Sequence, residues 1–140
     1  MGIKLKYEVD GEDFTRAGEA SGDIKKTLKK LGFPPETVRN VAIAVYEGEI
    51  NMVIHANGGE ITADLSEDGI TVVLADKGPG IPDIGMAMKE GYSTAPDNVR
   101  ALGFGAGMGL PNIKKYSDGM EIDSVVGEGT TIKLKFLPKQ

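Results

Sequence analysis

Cysteine and tryptophan are absent from this 140-residue chain, and histidine occurs once. Without cysteine there are no disulfides, thiolate metal sites or cysteine nucleophiles, although the absence leaves the compartment open. A lone histidine is a weak basis for a transition-metal centre. Aromatic residues make up only 6% of the chain. No apolar run approaches the roughly 20 residues that span a bilayer. The basic residues of the start, Met1–Tyr7, have no apolar stretch of signal-peptide type behind them. Positive charge is also in short supply: 21 acidic against 16 basic residues give a formal charge of -5. That balance disfavours a non-specific nucleic-acid surface or an anionic membrane. A cytoplasmic protein is expected, partnered by neither nucleic acid nor membrane. The length suits one domain over residues 1–140, large enough for a core of its own.

Glycine is abundant instead. The first 77 residues hold nine glycines, and the 52 from Gly78 to Gly129 hold eleven. No Gly-X-Y period accompanies them, and the alternating apolar positions nearby argue against disorder. Glycine gathered in one region points to backbone that approaches a ligand or rearranges.

The pattern of apolar residues predicts interleaved helices and strands. Ile3, Leu5, Tyr7 and Val9 alternate with charged residues as in a half-buried strand. A helix is expected over about Ala17–Leu31, with Gly32 at its C-terminal cap, and a second begins at Pro34-Pro35 and runs to about Ala56. Strands Glu60–Leu65 and Ile70–Ala75 flank a tight Glu67-Asp68-Gly69 turn. A short helix near Asp83–Lys89 precedes the aperiodic Gly91–Gly105, whose length suits a lid or binding loop. A helix over about Gly107–Tyr116 leads to strands Met120–Val126 and Thr130–Phe136. The fold class expected is α/β: a two-layer sandwich whose mixed, mostly antiparallel sheet carries helices on one face.

The second helix bears a narrow polar stripe. At about 100° per residue, Asn51 lies about 40° from Glu47, His55 about 80° and Asn40 about 20°, while apolar residues cover the opposite half. A desolvated Glu47 would have the raised proton affinity of a useful base. Asn51, one turn on, offers a carbonyl oxygen to a hard cation. Read alone, the pair fits an ordinary solvated seam rather better, and His55 a structural or pocket-lining residue rather than a ligand. Glu49 falls about 200° from Glu47, among apolar positions, and the sequence gives no physical account of it.

Two glycine loops follow. Ile70–Ala75 ends in Asp76-Lys77-Gly78-Pro79-Gly80, where a strand delivers a carboxylate able to accept a hydrogen bond from an exocyclic amine. Gly78 and Gly80 would let a planar ring approach the backbone; an exposed turn is the plain alternative. The run Gly103-Phe104-Gly105-Ala106-Gly107-Met108-Gly109-Leu110 opens into a helix and can present successive N–H groups to an anion, or serve as a hinge. It is neither a P-loop nor a dinucleotide fingerprint. Gly129-Thr130 brings a threonine whose hydroxyl would lie near Asp76. In this order, the pieces make a site for a nucleotide and Mg²⁺.

The segments Glu47–Ala56, Asp76–Gly80, Gly103–Leu110 and Gly129-Thr130 resemble the N, G1, G2 and G3 boxes of the GHKL (Bergerat-fold) ATP-binding superfamily, which includes gyrase, Hsp90, histidine kinases and MutL. Within it, Gly78–Ile84, Glu90–Thr94 and Gly105–Pro111 are similar to the small bacterial serine/threonine kinases of the stressosome switch-kinase type and their anti-sigma-factor cousins. The resemblance implies Glu47 as general base, Asn51 as Mg²⁺ ligand and Asp76 as the carboxylate that reads adenine. It implies Gly78 and Gly80 against the base of ATP, and Gly105, Gly107, Met108, Gly109 and Leu110 around the phosphates, with Thr130 supporting the adenine end. It further implies phosphorylation of a small STAS-domain antagonist, and sequestration of a sigma factor or other regulator by some relatives. Ala95–Leu102 lengthens the lid relative to the compact switch-kinase pattern, with Arg100 either facing solvent or reaching phosphate. No upstream helical pair carries a phosphoacceptor histidine, so a complete sensor kinase is not expected, nor is a transducer domain. A non-catalytic nucleotide-dependent binding protein and an ATPase module of a larger assembly remain alternatives. Met86, Met88 and Tyr92 are candidates for a homodimer contact or a cover for the pocket.

Overall fold

A computed structural model describes residues 2–10, 18–55, 58–76, 109–125 and 127–138. In chain order the elements are β1 (Ile3–Asp10), α1 (Glu19–Lys30), α2 (Pro35–His55), β2 (Gly58–Ser66), β3 (Gly69–Asp76), α3 (Gly109–Tyr116), β4 (Gly119–Val125) and β5 (Gly129–Phe136). The strands form one sheet in the order β1-β2-β3-β5-β4. The expected mixed, mostly antiparallel sheet is antiparallel at each of the four pairings among the described residues.

Alternation along the strands creates the two layers. Ile61, Ala63 and Leu65 of β2, Ile70, Val72 and Leu74 of β3, and Ile132, Leu134 and Phe136 of β5 are buried on one face. Lys4, Lys6, Asp64, Glu121, Lys133 and Lys135 stand exposed on the other. The helices supply the opposing half of the core with Ala20, Ile24, Leu28, Val38, Val41, Ala44, Val45, Met52 and Ile113. Each large apolar side chain buried here contributes about 1.5–3 kcal/mol of transfer free energy. That gain holds the helices on the inner face and leaves the charged face to water.

Local signals set the helix ends. Pro35 is the first residue of α2, where a missing N–H costs nothing. At the end of α1, Phe33 N–H donates to Leu28 C=O at 3.2 Å and Gly32 N–H to Lys29 C=O at 3.1 Å. This is a Schellman closure, with Gly32 at φ 83°. The Tyr7 hydroxyl donates to Asp23, tying β1 to α1. Burial first, then that bond and the charge of Asp23, raise the Tyr7 pKa above its ordinary value.

α2 occupies the middle of the helical layer, packed on α1, on α3 and on the sheet. Its closest approach to the sheet is at Gly48, where a Cβ would lie 2.5 Å from Leu74 Cδ2. Just beyond its end, β2 meets the end of β3 at Gly59, where a Cβ would lie 2.3 Å from the Ala75 carbonyl oxygen, 2.7 Å from Met52 Cε of α2 and 2.9 Å from Asp76 Cα. Both glycines let backbone and side chain meet without an intervening methyl, drawing the polar stripe of α2 toward Asp76.

Candidate functional site

Three consecutive residues of α2 address three different neighbours. Successive side chains point about 100° apart around the helix. Gly48 faces the sheet, and the residues on either side of it turn in opposite directions. Glu47 turns toward α3, where its carboxylate accepts a hydrogen bond from the Asn112 side chain. Glu49 turns toward α1 and accepts from the Ala20 N–H at 3.2 Å and the Ser21 N–H at 3.1 Å. Glu49 is only 2% exposed. Its burial, which the sequence alone left without explanation, is thus accounted for by two donors at the start of α1.

Glu47 is half-buried. Burial raises its pKa above the ordinary carboxylate value, and the Asn112 hydrogen bond partly offsets this by favouring the charged form. The desolvation inferred from the sequence therefore holds, with Asn112 as a partner that sequence reasoning missed. Asn51, one turn further along α2, is also half-buried. A carboxylate and an amide oxygen suit a hard, oxygen-loving cation such as Mg²⁺. Among the described residues no group of three or more His, Cys, Asp or Glu side chains could hold a metal ion. A cation here would therefore need further oxygens from phosphate or water.

Asp76 is the last residue of β3, and its Oδ1 accepts from the Thr130 backbone N–H at 3.1 Å. The link from Thr130 to Asp76 thus runs through the backbone N–H. The Thr130 hydroxyl pairs with Ser124 Oγ at 2.8 Å, and Ser124 Oγ also donates to the Gly129 carbonyl at 3.3 Å. Ser124 is a second participant not singled out from the sequence. These bonds join β4, β5 and β3 at one end of the sheet, beside the Gly59 crossing. Gly109 and Leu110 open α3, so the glycine run leads into a helix start as expected. Gly78, Gly80, Gly105, Gly107 and Met108 lie outside the described residues, as do Met86, Met88, Tyr92 and Arg100. His55 is the final residue of α2.

Comparison with known proteins places the chain in a family. Residues 13–136 fit the family model described as histidine kinase-like ATPase domain. The chain belongs to that family. This ATPase domain is 34% identical over 113 residues to the serine/threonine-protein kinase RsbT of Bacillus subtilis (strain 168), covering 78% of this chain and 79% of the relative. It is 30% identical over 141 residues to the anti-sigma F factor of Clostridium beijerinckii, covering 96% and 92%. Among solved structures, the RsbU and RsbW domains of Rv1364c from Mycobacterium tuberculosis superpose with a TM-score of 0.67 at 15% identity. That match covers 99% of this chain and 33% of the other, and is a likeness of fold. The GHKL-type resemblance drawn from the four boxes is thereby borne out, and membership of an ATPase family implies nucleotide use. No helix among the described residues is long and apolar enough to cross a membrane.

Proposed function

We propose that this protein is an ATP- and Mg²⁺-dependent serine/threonine kinase acting on a small regulatory partner with a STAS domain. The observation that carries the reading is Glu47. It is a carboxyl of raised proton affinity, held by Asn112, one helical turn from the amide oxygen of Asn51. A base poised to take a hydroxyl proton near neutral pH has this character.

Under this reading Asp76, fixed by the Thr130 N–H, accepts a hydrogen bond from the exocyclic amine of adenine. Gly78 and Gly80 lie against the ring. Asn51 would hold Mg²⁺, and the ion would supply charge neutralisation at the phosphates. Amides of Gly105 to Leu110 stabilise the equatorial oxygens. Glu47 removes the proton from the attacking serine or threonine hydroxyl as the new P–O bond forms, and ADP departs.

Phosphotransfer from radiolabelled ATP to candidate STAS-domain proteins tests the reading, with wild type beside Glu47→Gln. The variant keeps the shape but cannot accept the proton, so transfer should fall by roughly 10²–10⁴-fold while nucleotide binding persists. Undiminished transfer rules Glu47 out as base.

One observation favours a second reading. The C. beijerinckii anti-sigma F factor matches over 96% of this chain, against 78% for RsbT. A protein that sequesters a sigma factor when nucleotide is bound would retain its partner in an ATP-dependent pull-down without forming phosphoprotein.

A further inference from the structure

The buried Glu49 plays no part in the chemistry above, yet it makes two bonds across the helical layer. Ala20 and Ser21 are the second and third residues of α1. Their N–H groups are the ones a local N-cap side chain ordinarily serves. Here the cap position is Gly18, which provides no side-chain hydrogen bond and sits at φ 103°. A Cβ on Gly18 would lie 3.2 Å from Tyr46 Cε1, so backbone conformation and space both disfavour a capping side chain. Glu49 does the capping from another helix, one oxygen on each N–H.

We propose that Glu49 is a positioning residue for Glu47: by capping α1 from α2, it fixes the rotation of α2 about its axis. The inference rests on Glu47 being the reactive carboxylate. Gly48 against Leu74 sets how close α2 lies to the sheet, and the apolar side chains of α2 hold it in the core by non-directional contacts that leave small rotations about its axis to be fixed. The paired bonds of Glu49 on one flank and the Asn112 contact of Glu47 on the other remove that freedom. Side-chain ends lie about 5–6 Å from a helix axis, so a roll of about 10° displaces the Glu47 carboxylate by about 1 Å. A displacement of that size is enough to cost a reaction up to about 10²-fold.

The test uses the full chain and the Glu49→Gln variant, whose amide retains a single acceptor oxygen for two donors. Three quantities are read: the Ala20 and Ser21 backbone amides and the Asn112 side-chain amide by NMR, ADP affinity with and without Mg²⁺ by calorimetry, and single-turnover transfer of the γ-phosphoryl group of ATP to the hydroxyl of an added STAS-domain acceptor, with ADP as the leaving group. The expected result is loss of exchange protection at Ala20 and Ser21, with Asn112 signals moving toward their positions in Glu47→Ala. ADP affinity measured in a chelator should stay within about twofold, affinity with Mg²⁺ should fall modestly because Asn51 turns with the same helix, and γ-phosphoryl transfer should slow about tenfold. Glu49→Asp keeps the charge on a shorter arm and should fall between the two, which serves if Glu49→Gln does not fold. Shifts confined to Ala20 and Ser21 with Asn112 unmoved overturn the proposal and leave Glu49 a cap alone. A loss carried wholly by nucleotide affinity also overturns it. Wild type that never transfers the γ-phosphoryl group strikes instead at the base assignment, and the Asn112 signals then decide the coupling by themselves.

Discussion

Glu47 carries opposing influences that a titration can separate. Burial raises its pKa, and the Asn112 bond works the other way without cancelling the rise. The folded protein therefore holds this proton at a higher pH than the unfolded chain does. Between the ordinary carboxylate pKa of about 4.3 and the raised native value, the native state binds more protons. Stability from this group is thus complete below the window and lost as pH rises through it. Glu47→Gln removes the titration. The stability difference between variant and wild type should grow in the variant's favour as pH rises past the ordinary carboxylate pKa, then level off above the raised native one. Urea denaturation at a series of pH values measures it, with the slope against denaturant held constant as a control. A difference that stays flat with pH would mean that Glu47 is solvated like any surface carboxylate. A variant both slower in transfer and more stable at neutral pH is the usual signature of a site that carries a buried charge for function.

At the scale of elements, the approach of α2 to the sheet decides how the polar stripe meets Asp76. Helix propensity alone favours Gly48→Ala by about 1 kcal/mol. The added methyl would stand 2.5 Å from Leu74 Cδ2, and Leu74 is buried in the core. Overpacking of this kind costs about 1–3 kcal/mol, so the net effect is destabilising by about 1 kcal/mol. Adding Leu74→Ala opens a cavity beside the new methyl, and the double variant should lose less than the two single losses added together. Gly59→Ala is harsher, because its methyl would meet the Ala75 carbonyl and the Asp76 Cα, which are backbone and cannot rotate away. A loss of about 3 kcal/mol is expected, with weakened nucleotide binding through the displaced Asp76. Chemical denaturation orders the three, and a stabilised Gly48→Ala would show that propensity outweighs the contact. The same contacts mark what was legible beforehand. Pro35, the Gly32 cap and the alternation of β5 are local, and they marked the element ends to within a residue or two. The Glu47–Asn51 stripe was legible because four residues bring two side chains onto one helical face. Glu49 was not, since its partners lie 28 and 29 positions away on another helix. Nor was Asn112, because a polar residue near a helix start reads as solvated until α2 is packed against it. Nor was the demand for Gly59, since it arises only where β2 is paired with the end of β3.

The whole molecule turns these local placements into a linkage between folding and ligand. Glu47 and Asn51 come from α2, Asp76 from β3, Thr130 from β5 and Asn112 from α3. An unfolded chain presents none of them together, so a nucleotide held at the proposed site binds the native state alone. At a free concentration about 100 times Kd, such a ligand adds about 2.7 kcal/mol to stability. Unfolding entropy is about 2.1 cal/mol/K per residue, which for 140 residues makes this a rise in Tm of about 9 °C. The proposed role of Asn51 divides that rise. With Mg²⁺ the non-hydrolysable analogue of ATP should give the full shift, and with a chelator only the part due to the adenine end at Asp76. Asn51→Ala should bring the two melting curves together while leaving the chelated curve where it was. Asp76→Asn should instead lower both, because its lost acceptor serves the base whether or not metal is present. Thermal scans across a nucleotide series measure all four cases. If magnesium shifts Asn51→Ala as far as it shifts wild type, the cation is held by phosphate and other groups, and the α2 stripe serves the proton alone.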